Sequence, residues 1–272
     1  MSADLRVGEG KAVVPEHLRV QRTIVKMLYD PQFAAAVRTR PDEVLAELSA
    51  PRRRELAAVD PRAYQLDPLR RERLLRSLFD ELKGSLTLAL AETRAWAFLL
   101  RFFGSPHFHR AVDGELPAAL AMADYLVASA LTTPALRPLV AVERGLAAAR
   151  RDKREPGPPY RRGVALRLAP QVTPVRTTKG ALAALTAVEQ YLFSASLLPA
   201  LTLVDDGPGL VLPEHDPTPH ALVVVPYAGT LTLVEIDEET VSALLRIAAG
   251  EPVEDRALLD HLGESELLER RA

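Results

Sequence analysis

The sequence contains no cysteine among its 272 residues. That absence excludes disulfide bonds, thiolate metal ligands and cysteine nucleophiles together. No apolar run reaches the roughly 20 residues that a membrane-spanning helix needs, and residues 1–11 are polar and charged where a signal peptide has an apolar centre. We therefore expect a cytoplasmic protein that does not enter a membrane.

The sequence also lacks an excess of positive charge. Its 34 Lys and Arg stand against 36 Asp and Glu, a formal net charge of −2, so no global field attracts nucleic acid. Two arginine clusters, Arg52 to Arg54 and Arg70 to Arg76, could grip phosphates or acidic residues. Consecutive arginines on a helix spread around about 200°, so ion pairs with Glu55 and Glu72 are the favoured interpretation.

Sequence signatures of catalysis are missing as well. We find no glycine-rich phosphate loop, dinucleotide fingerprint, nucleophile elbow or paired-histidine zinc helix. Two histidine groups remain, at His107 with His109 and at Glu214, His215 and Asp216 with His220 nearby. Neither group has a complete set of metal ligands or a nucleophile at a compatible local spacing. We expect no catalytic residue, metal or cofactor on this chain; a metalloenzyme that uses the four histidines is an alternative.

A charge run followed by prolines and a glycine, Arg150 to Pro159, divides the chain, because this composition neither continues a helix nor joins a central strand. The pattern before it is helical, and strands follow it. We predict an α+β fold with an all-helical bundle at 1–154 and a winged-helix-like domain with a small antiparallel sheet at 160–272. Trp96 is expected at the centre of the helical domain, with a partner-binding hot spot as the alternative.

Apolar spacing and capping residues predict the individual elements. In the first domain we expect helices at His17 to Tyr29, Pro31 to Arg38, Asp42 to Leu48, Pro51 to Val59, Asp67 to Leu82 with its cap at Asp67, Leu86 to Phe103, Leu116 to Leu131 and Pro134 to Arg150. After the boundary we expect strands at Val164 to Leu168, Gln171 to Thr177 and Leu201 to Val204, and a helix at Ala181 to Phe193.

The most informative segment is residues 221–272, where predicted strands give way within a few residues to apolar spacing typical of helices. Leu222 to Val225 and Leu231 to Ile236 are predicted strands, joined by a turn in which Gly229 takes positive φ at no steric cost. Asp237 is the expected N-cap of a helix at Glu238 to Ala249. This helix ends at Gly250 and places Val241, Leu244, Leu245 and Ala248 on one face. Shorter helices at Asp255 to Leu262 and Ser265 to Arg271 complete a hairpin and helical trio, the order of a winged-helix-like module.

A small sheet with an exposed edge can accept an extended peptide by strand addition, in which main-chain hydrogen bonds hold the ligand and neighbouring helices select its side chains. The edge strand and the helix after it would form the groove. We therefore predict peptide-binding residues at Leu231, Leu233, Glu235, Val241, Leu245 and Arg246.

The C-terminal pattern also carries a resemblance to a known family. Leu-Leu-Arg-Ile-Ala-Ala-Gly-Glu-Pro at Leu244 to Pro252, followed by Ala257 to Leu259, resembles the partner proteins of multinuclear non-heme iron-dependent peptide-modifying oxidases, such as the methanobactin partner subunit. Phe102 to Phe108 is similar to helix ends in that family's first domain. The resemblance implies a second domain like a RiPP recognition element, which binds the leader of a ribosomal precursor peptide while an iron-bearing subunit performs the oxidation.

These observations predict a non-catalytic partner subunit that presents a precursor peptide to an iron-dependent oxidase. Its partners would be the oxidase subunit and the peptide, with neither nucleic acid nor membrane, and the iron would reside on the partner enzyme. The alternative is a transcription regulator with a helical sensing domain and a winged helix on DNA. Its recognition helix would be Asp255 to Leu262, in which Arg256 and His261 are the only positive candidates beside two aspartates.

Overall fold

The computed structural model describes residues 14–67, 69–161, 163–194 and 209–271. Within them the fold is mixed α+β with small antiparallel sheets, which confirms the predicted class. The regular elements between residues 16 and 151 are helices, and the strands follow residue 165. The predicted strand at Leu201 to Val204 lies outside the described residues.

The helices run as follows: α1 Glu16–Tyr29, α2 Pro31–Thr39, α3 Pro41–Val44, α4 Ala50–Ala57, α5 Arg70–Glu81, α6 Lys83–Thr93, α7 Trp96–Leu100, α8 Pro106–Val112, α9 Ala118–Ala128, α10 Leu136–Arg151, α11 Lys179–Ser194, α12 Glu238–Ala248 and α13 Arg256–Glu264. Two 3-10 helices lie at Pro61–Gln65 and Arg101–Gly104. The strands are β1 Leu166–Leu168, β2 Thr173–Thr178, β3 Pro219–Tyr227, β4 Thr230–Ile236 and β5 Leu268–Arg270.

Two predictions about the helical region are wrong. The segment predicted as one helix at Leu86 to Phe103 breaks at Arg94, which ends α6 in the left-handed region with φ 50°. Asp67 does not cap α5, because that helix begins at Arg70 and the Asp67 carboxylate forms an ion pair with Arg73 instead.

The largest apolar core lies among the helices. Phe102 and Phe103 are almost fully buried at its centre, whereas Trp96 is only partly buried at its margin, edge-on to Phe79 with 5.9 Å between ring centroids. Helix α11, on the far side of the predicted domain boundary, adds Ala184 and Val188 to the same core. The two halves of the chain are therefore joined by continuous apolar packing.

The strands form two separate sheets. Strands β2, β3 and β4 make an antiparallel sheet in that order, and β1 pairs with β5. The predicted helix at Ser265 to Arg271 is therefore wrong: Glu266 takes φ 58° after α13, and Leu268–Arg270 then pairs with Leu166–Leu168. The pairing partner lies about a hundred residues earlier, so local sequence patterns do not report it.

The three-stranded sheet is covered on both faces. On one face, Leu222 and Val224 pack with Val142 and Ala149 of α10. On the other face, Val223 packs with residues of α12 and α13, in a cluster that includes Leu244, Ile247 and Leu262. A strand buried on both faces reads as a continuous apolar run, as β3 does.

Helix α10 approaches the sheet closely because of one glycine. A Cβ atom on Gly145 would stand 2.5 Å from Cγ2 of Val175 on β2, closer than carbon atoms can pack. Nearby, the Thr177 hydroxyl donates a hydrogen bond of 2.8 Å to the carbonyl oxygen of Pro138. The sheet is thus held against the last helix of the helical half.

A second link within the core is a buried carboxyl group. Glu143 on α10 is 3% exposed. It accepts hydrogen bonds from the N–H of Gly84 at 2.7 Å and from the N–H and O–H of Ser85 at 2.8 and 2.5 Å. These N–H groups belong to the first turn of α6, where no intrahelical acceptor is available. Glu143 therefore satisfies the start of α6 from a neighbouring helix.

Burial raises the pKa of Glu143, against the hydrogen bonds from Ser85 and Gly84, which lower it. The folded chain then keeps this proton at a higher pH than the unfolded chain, so the free energy of unfolding falls as pH rises from the ordinary glutamate pKa through the raised value. We expect the stability of the wild type relative to Glu143→Gln, which has no carboxyl proton, to fall over that range. Urea unfolding of both proteins at a series of pH values measures the free energy of unfolding of the wild type minus that of Glu143→Gln. A value that rises with pH would contradict the prediction.

Candidate functional site

Strand β4 forms one edge of the three-stranded sheet. It pairs with β3 along one side, and no strand in the described ranges pairs with its other side. An open edge leaves backbone N–H and C=O groups without strand partners, and such an edge is a template for an additional strand.

The hairpin turn determines which residues present these backbone groups. Ala228 and Gly229 have φ of 48° and 79°, the pattern of a two-residue type I′ turn, so Tyr227 and Thr230 form the hydrogen-bonded pair that closes it. Bonded and non-bonded pairs alternate in an antiparallel ladder. The backbones of Leu231, Leu233 and Glu235 therefore point to the open edge, and their neighbours on β4 bond to β3.

The turn itself carries a strained residue, because Ala228 has a Cβ atom in the left-handed region. Replacing Ala228 with Asn, which tolerates that region, is expected to raise the free energy of unfolding by about 0.5 to 1 kcal/mol. Ala228→Val is the opposite control and should lower stability. Urea unfolding of the three proteins tests this, and a less stable Asn variant would contradict the assigned turn.

A groove of about 790 Å³ runs beside β4, between the sheet and α13. Its floor is apolar and its rim is polar. The apolar lining comprises Val172, Val223, Val225, Val234, Ile236, Leu262 and Leu267, and the polar lining includes Glu235, Asp237, Thr240, His261, Ser265 and Glu266. Apolar pockets with a few polar groups at their margins are typical of ligand sites.

Three of the predicted peptide-binding residues lie together on β4. Leu231 and Leu233 are half-buried, and their side chains pack against the cluster on the α10 face of the sheet. Glu235 is exposed, with its Oε1 3.5 Å from Nδ1 of His220. The open edge is thus formed by the backbone of these residues, while the groove lies on the other face.

The remaining three predicted residues lie on α12, which packs mainly on β1, β2 and β3. Val241 is completely buried and Leu245 half-buried. Arg246 is exposed, donates to the carbonyl oxygen of Pro252 and lies 3.8 Å from Glu251. None of these three residues belongs to the lining of the groove beside β4, and the peptide-binding role of all six predicted residues stays a prediction.

The groove-lining residues that sequence analysis missed are Val234 and Ile236 on β4, Thr240 at the start of α12, and His261 and Leu262 on α13. The two β4 residues are one position away from the predicted ones, on the opposite face of the strand. A strict alternation of apolar and polar residues would have shown which residues of β4 face the groove, but the hairpin is apolar on both faces. The α13 residues follow only from the tertiary packing.

The two histidines of the first pair, His107 and His109, contact different side chains. Nε2 of His109 lies 3.1 Å from Oδ2 of Asp30, a buried carboxylate that also accepts the N–H groups of Gln32 and Phe33 at the start of α2. Burial lowers the pKa of His109, which favours the neutral ring. His107 instead faces Tyr125, with 6.2 Å between ring centroids.

In the part of the chain that the structure describes, no three His, Asp or Glu side chains are arranged to hold an ion. No described helix is long and apolar enough to cross a bilayer.

No protein family, curated protein or solved structure matches this chain. The candidate site is the open edge of β4 with the groove beside it.

Proposed function

We propose that this chain is a non-catalytic partner subunit that binds a ribosomal precursor peptide in the cytoplasm and presents it to a separate iron-dependent oxidase. The observation that carries this proposal is the open edge of β4 beside an apolar groove. An extended peptide that pairs with Leu231, Leu233 and Glu235 through its backbone would become a fourth strand of the sheet.

Strand addition would also sort the side chains of the peptide. Successive residues of a strand point to opposite faces, so every second peptide side chain would enter the groove beside Val234, Ile236 and Leu262. The residues between them would lie on the face that carries Leu231 and Leu233. The backbone contacts would supply affinity for many sequences, and the groove would supply selectivity.

The arrangement of the C-terminal half supports a winged-helix-like recognition domain. A sheet that ends in the β3–β4 hairpin is followed by α12 and α13, which pack on one face of it. The helical half would form the bundle that docks on the oxidase. Holding a flexible peptide near the iron raises its effective concentration there, so the subunit would assist the reaction without a catalytic group of its own.

The DNA-binding alternative lacks comparable support. A winged helix that binds DNA needs cations on its wing and recognition helix to neutralise phosphates. Residues 219–236, which form the hairpin, contain no Lys or Arg. On α13, Arg256 and His261 stand beside Asp260, whose Oδ1 accepts the Tyr160 hydroxyl at 2.8 Å.

Reconstitution tests the proposed function. The chain is coexpressed with an iron-dependent oxidase and a short peptide encoded beside its gene, and the mass of the peptide is measured. We expect an oxidised peptide only when all three components are present, with copurification of the chain and the oxidase. Modification of the peptide by the purified chain alone, or equally fast modification without it, would contradict the proposal.

A further inference from the structure

Charge is divided unevenly along this nearly neutral chain. Residues 209–271 contain thirteen Asp and Glu against four Lys and Arg, a formal charge of −9. The rest of the chain holds 23 Asp and Glu against 30 Lys and Arg, a charge of +7, which together give the net −2. The C-terminal segment that supplies most of the groove lining is therefore strongly acidic.

The acidic residues reach the groove itself. Asp237 and Glu266 line it and are exposed. Glu235 is also exposed and belongs to its lining, but its side chain shares the face of β4 that carries Leu231 and Leu233. The described lining contains no Lys or Arg. Arg256 and Arg271 line a different groove, near β1 and the segment after α12. Asp237 and Glu266 thus have no Lys or Arg of this lining to neutralise them, and Glu235 has His220 as its neighbour at 3.5 Å.

Local hydrogen bonds preserve the negative charge of one rim residue. Asp237 caps α12 and accepts the N–H and the hydroxyl of Thr240 at 2.7 and 2.8 Å. These bonds lower the pKa of Asp237. The negative charge at that end of the groove is therefore kept at neutral pH, and the side chains of Glu235 and Glu266 are exposed.

We propose that the occupant of the β4 groove is an extended peptide segment in which apolar residues alternate with lysine or arginine. This inference rests on the proposed peptide-binding function and adds the chemical class of the peptide. Apolar side chains fit the floor formed by Val234, Ile236 and Leu262. The cationic side chains between them would lie on the opposite face of β4, where the Glu235 carboxylate is exposed, and the acidic surroundings favour them.

The experiment uses three fluorescein-labelled decapeptides that alternate Val with Lys, Val with Ser or Val with Glu, each titrated with the full chain by fluorescence anisotropy. We expect the Val-Lys peptide to bind at least about tenfold more tightly than the Val-Glu peptide, with the Val-Ser peptide between them. Raising NaCl from about 50 to about 300 mM should narrow that difference, since screening weakens exposed charge interactions.

Rim variants localise the effect. Glu235→Gln combined with Glu266→Gln should weaken binding of the Val-Lys peptide by about three- to tenfold and leave the Val-Ser peptide unchanged. Glu254→Gln is the matched control, because Glu254 is exposed and lines the other groove, so its affinities should equal those of the wild type. Urea unfolding confirms that each variant is folded.

The outcomes separate the two proposals. Equal affinity for the Val-Lys and Val-Glu peptides, or an unchanged Val-Lys affinity in the double variant, would overturn the basic character of the ligand and leave strand addition standing. Binding of none of the three peptides would overturn strand addition at β4, and with it the proposed function.

Discussion

The Glu235→Pro variant is expected to bind the Val-Lys peptide about tenfold more weakly than Glu235→Ala. The N–H of Glu235 points to the open edge, so proline removes a donor to the ligand without removing a hydrogen bond to β3. Both variants lose the same carboxylate, and the side chain is exposed in the wild type. Their difference therefore reports the backbone contact alone.

A proline three residues earlier on β4 provides the control. The N–H of Thr232 points to β3, so Thr232→Pro should break the ladder and lower the stability of the hairpin, whereas Glu235→Pro should leave urea unfolding nearly unchanged. Anisotropy titrations measure affinity in the same samples. Equal affinity of Glu235→Pro and Glu235→Ala would show that no ligand hydrogen bond forms there.

Glu143→Ala is expected to lower the free energy of unfolding by about 3 to 5 kcal/mol, the largest effect on stability that we predict. The truncation removes the acceptor of two buried N–H groups and one hydroxyl at the start of α6. It also leaves a cavity between α6 and α10, because Glu143 is 3% exposed. Unsatisfied donors and lost packing then act together.

Urea unfolding of matched variants tests this role. Ser85→Ala removes only one of the three donors and should cost about 1 kcal/mol. Arg144→Ala, the exposed neighbour on α10 that pairs with Asp124, should cost under about 1 kcal/mol. A loss in Glu143→Ala as small as that in Arg144→Ala would mean that the carboxyl group does not hold the start of α6.

Sequence patterns predicted the elements whose signals are local. The β3–β4 hairpin and α12 are confirmed, because the turn residue Gly229 and the cap Asp237 act within a few positions of the elements they define. Of the residues predicted to share one face of α12, Val241 and Leu244 are buried, but Ala248 is exposed. The last turn of the helix leaves the sheet, and no local signal marks where that happens.

Features that depend on distant partners were not predictable in the same way. Leu268–Arg270 resembles a helix continuation by composition and becomes a strand because β1 supplies its hydrogen bonds. The groove beside β4 depends on which face of the sheet α12 and α13 cover. A continuous apolar run such as Leu222 to Val225 does not indicate which of its side chains point to which face. The hairpin and its last strand were therefore predicted from sequence, whereas the open edge and the side chains around it came from the fold.

Amide hydrogen exchange with and without the Val-Lys peptide tests the central claim most directly. We predict that the N–H groups of Leu231, Leu233 and Glu235 exchange rapidly in the free chain and become protected when the peptide binds, whereas those of Thr232 and Val234 are slow in both states. Saturating peptide that leaves the three outward N–H groups exchanging at their free rates would contradict strand addition at β4.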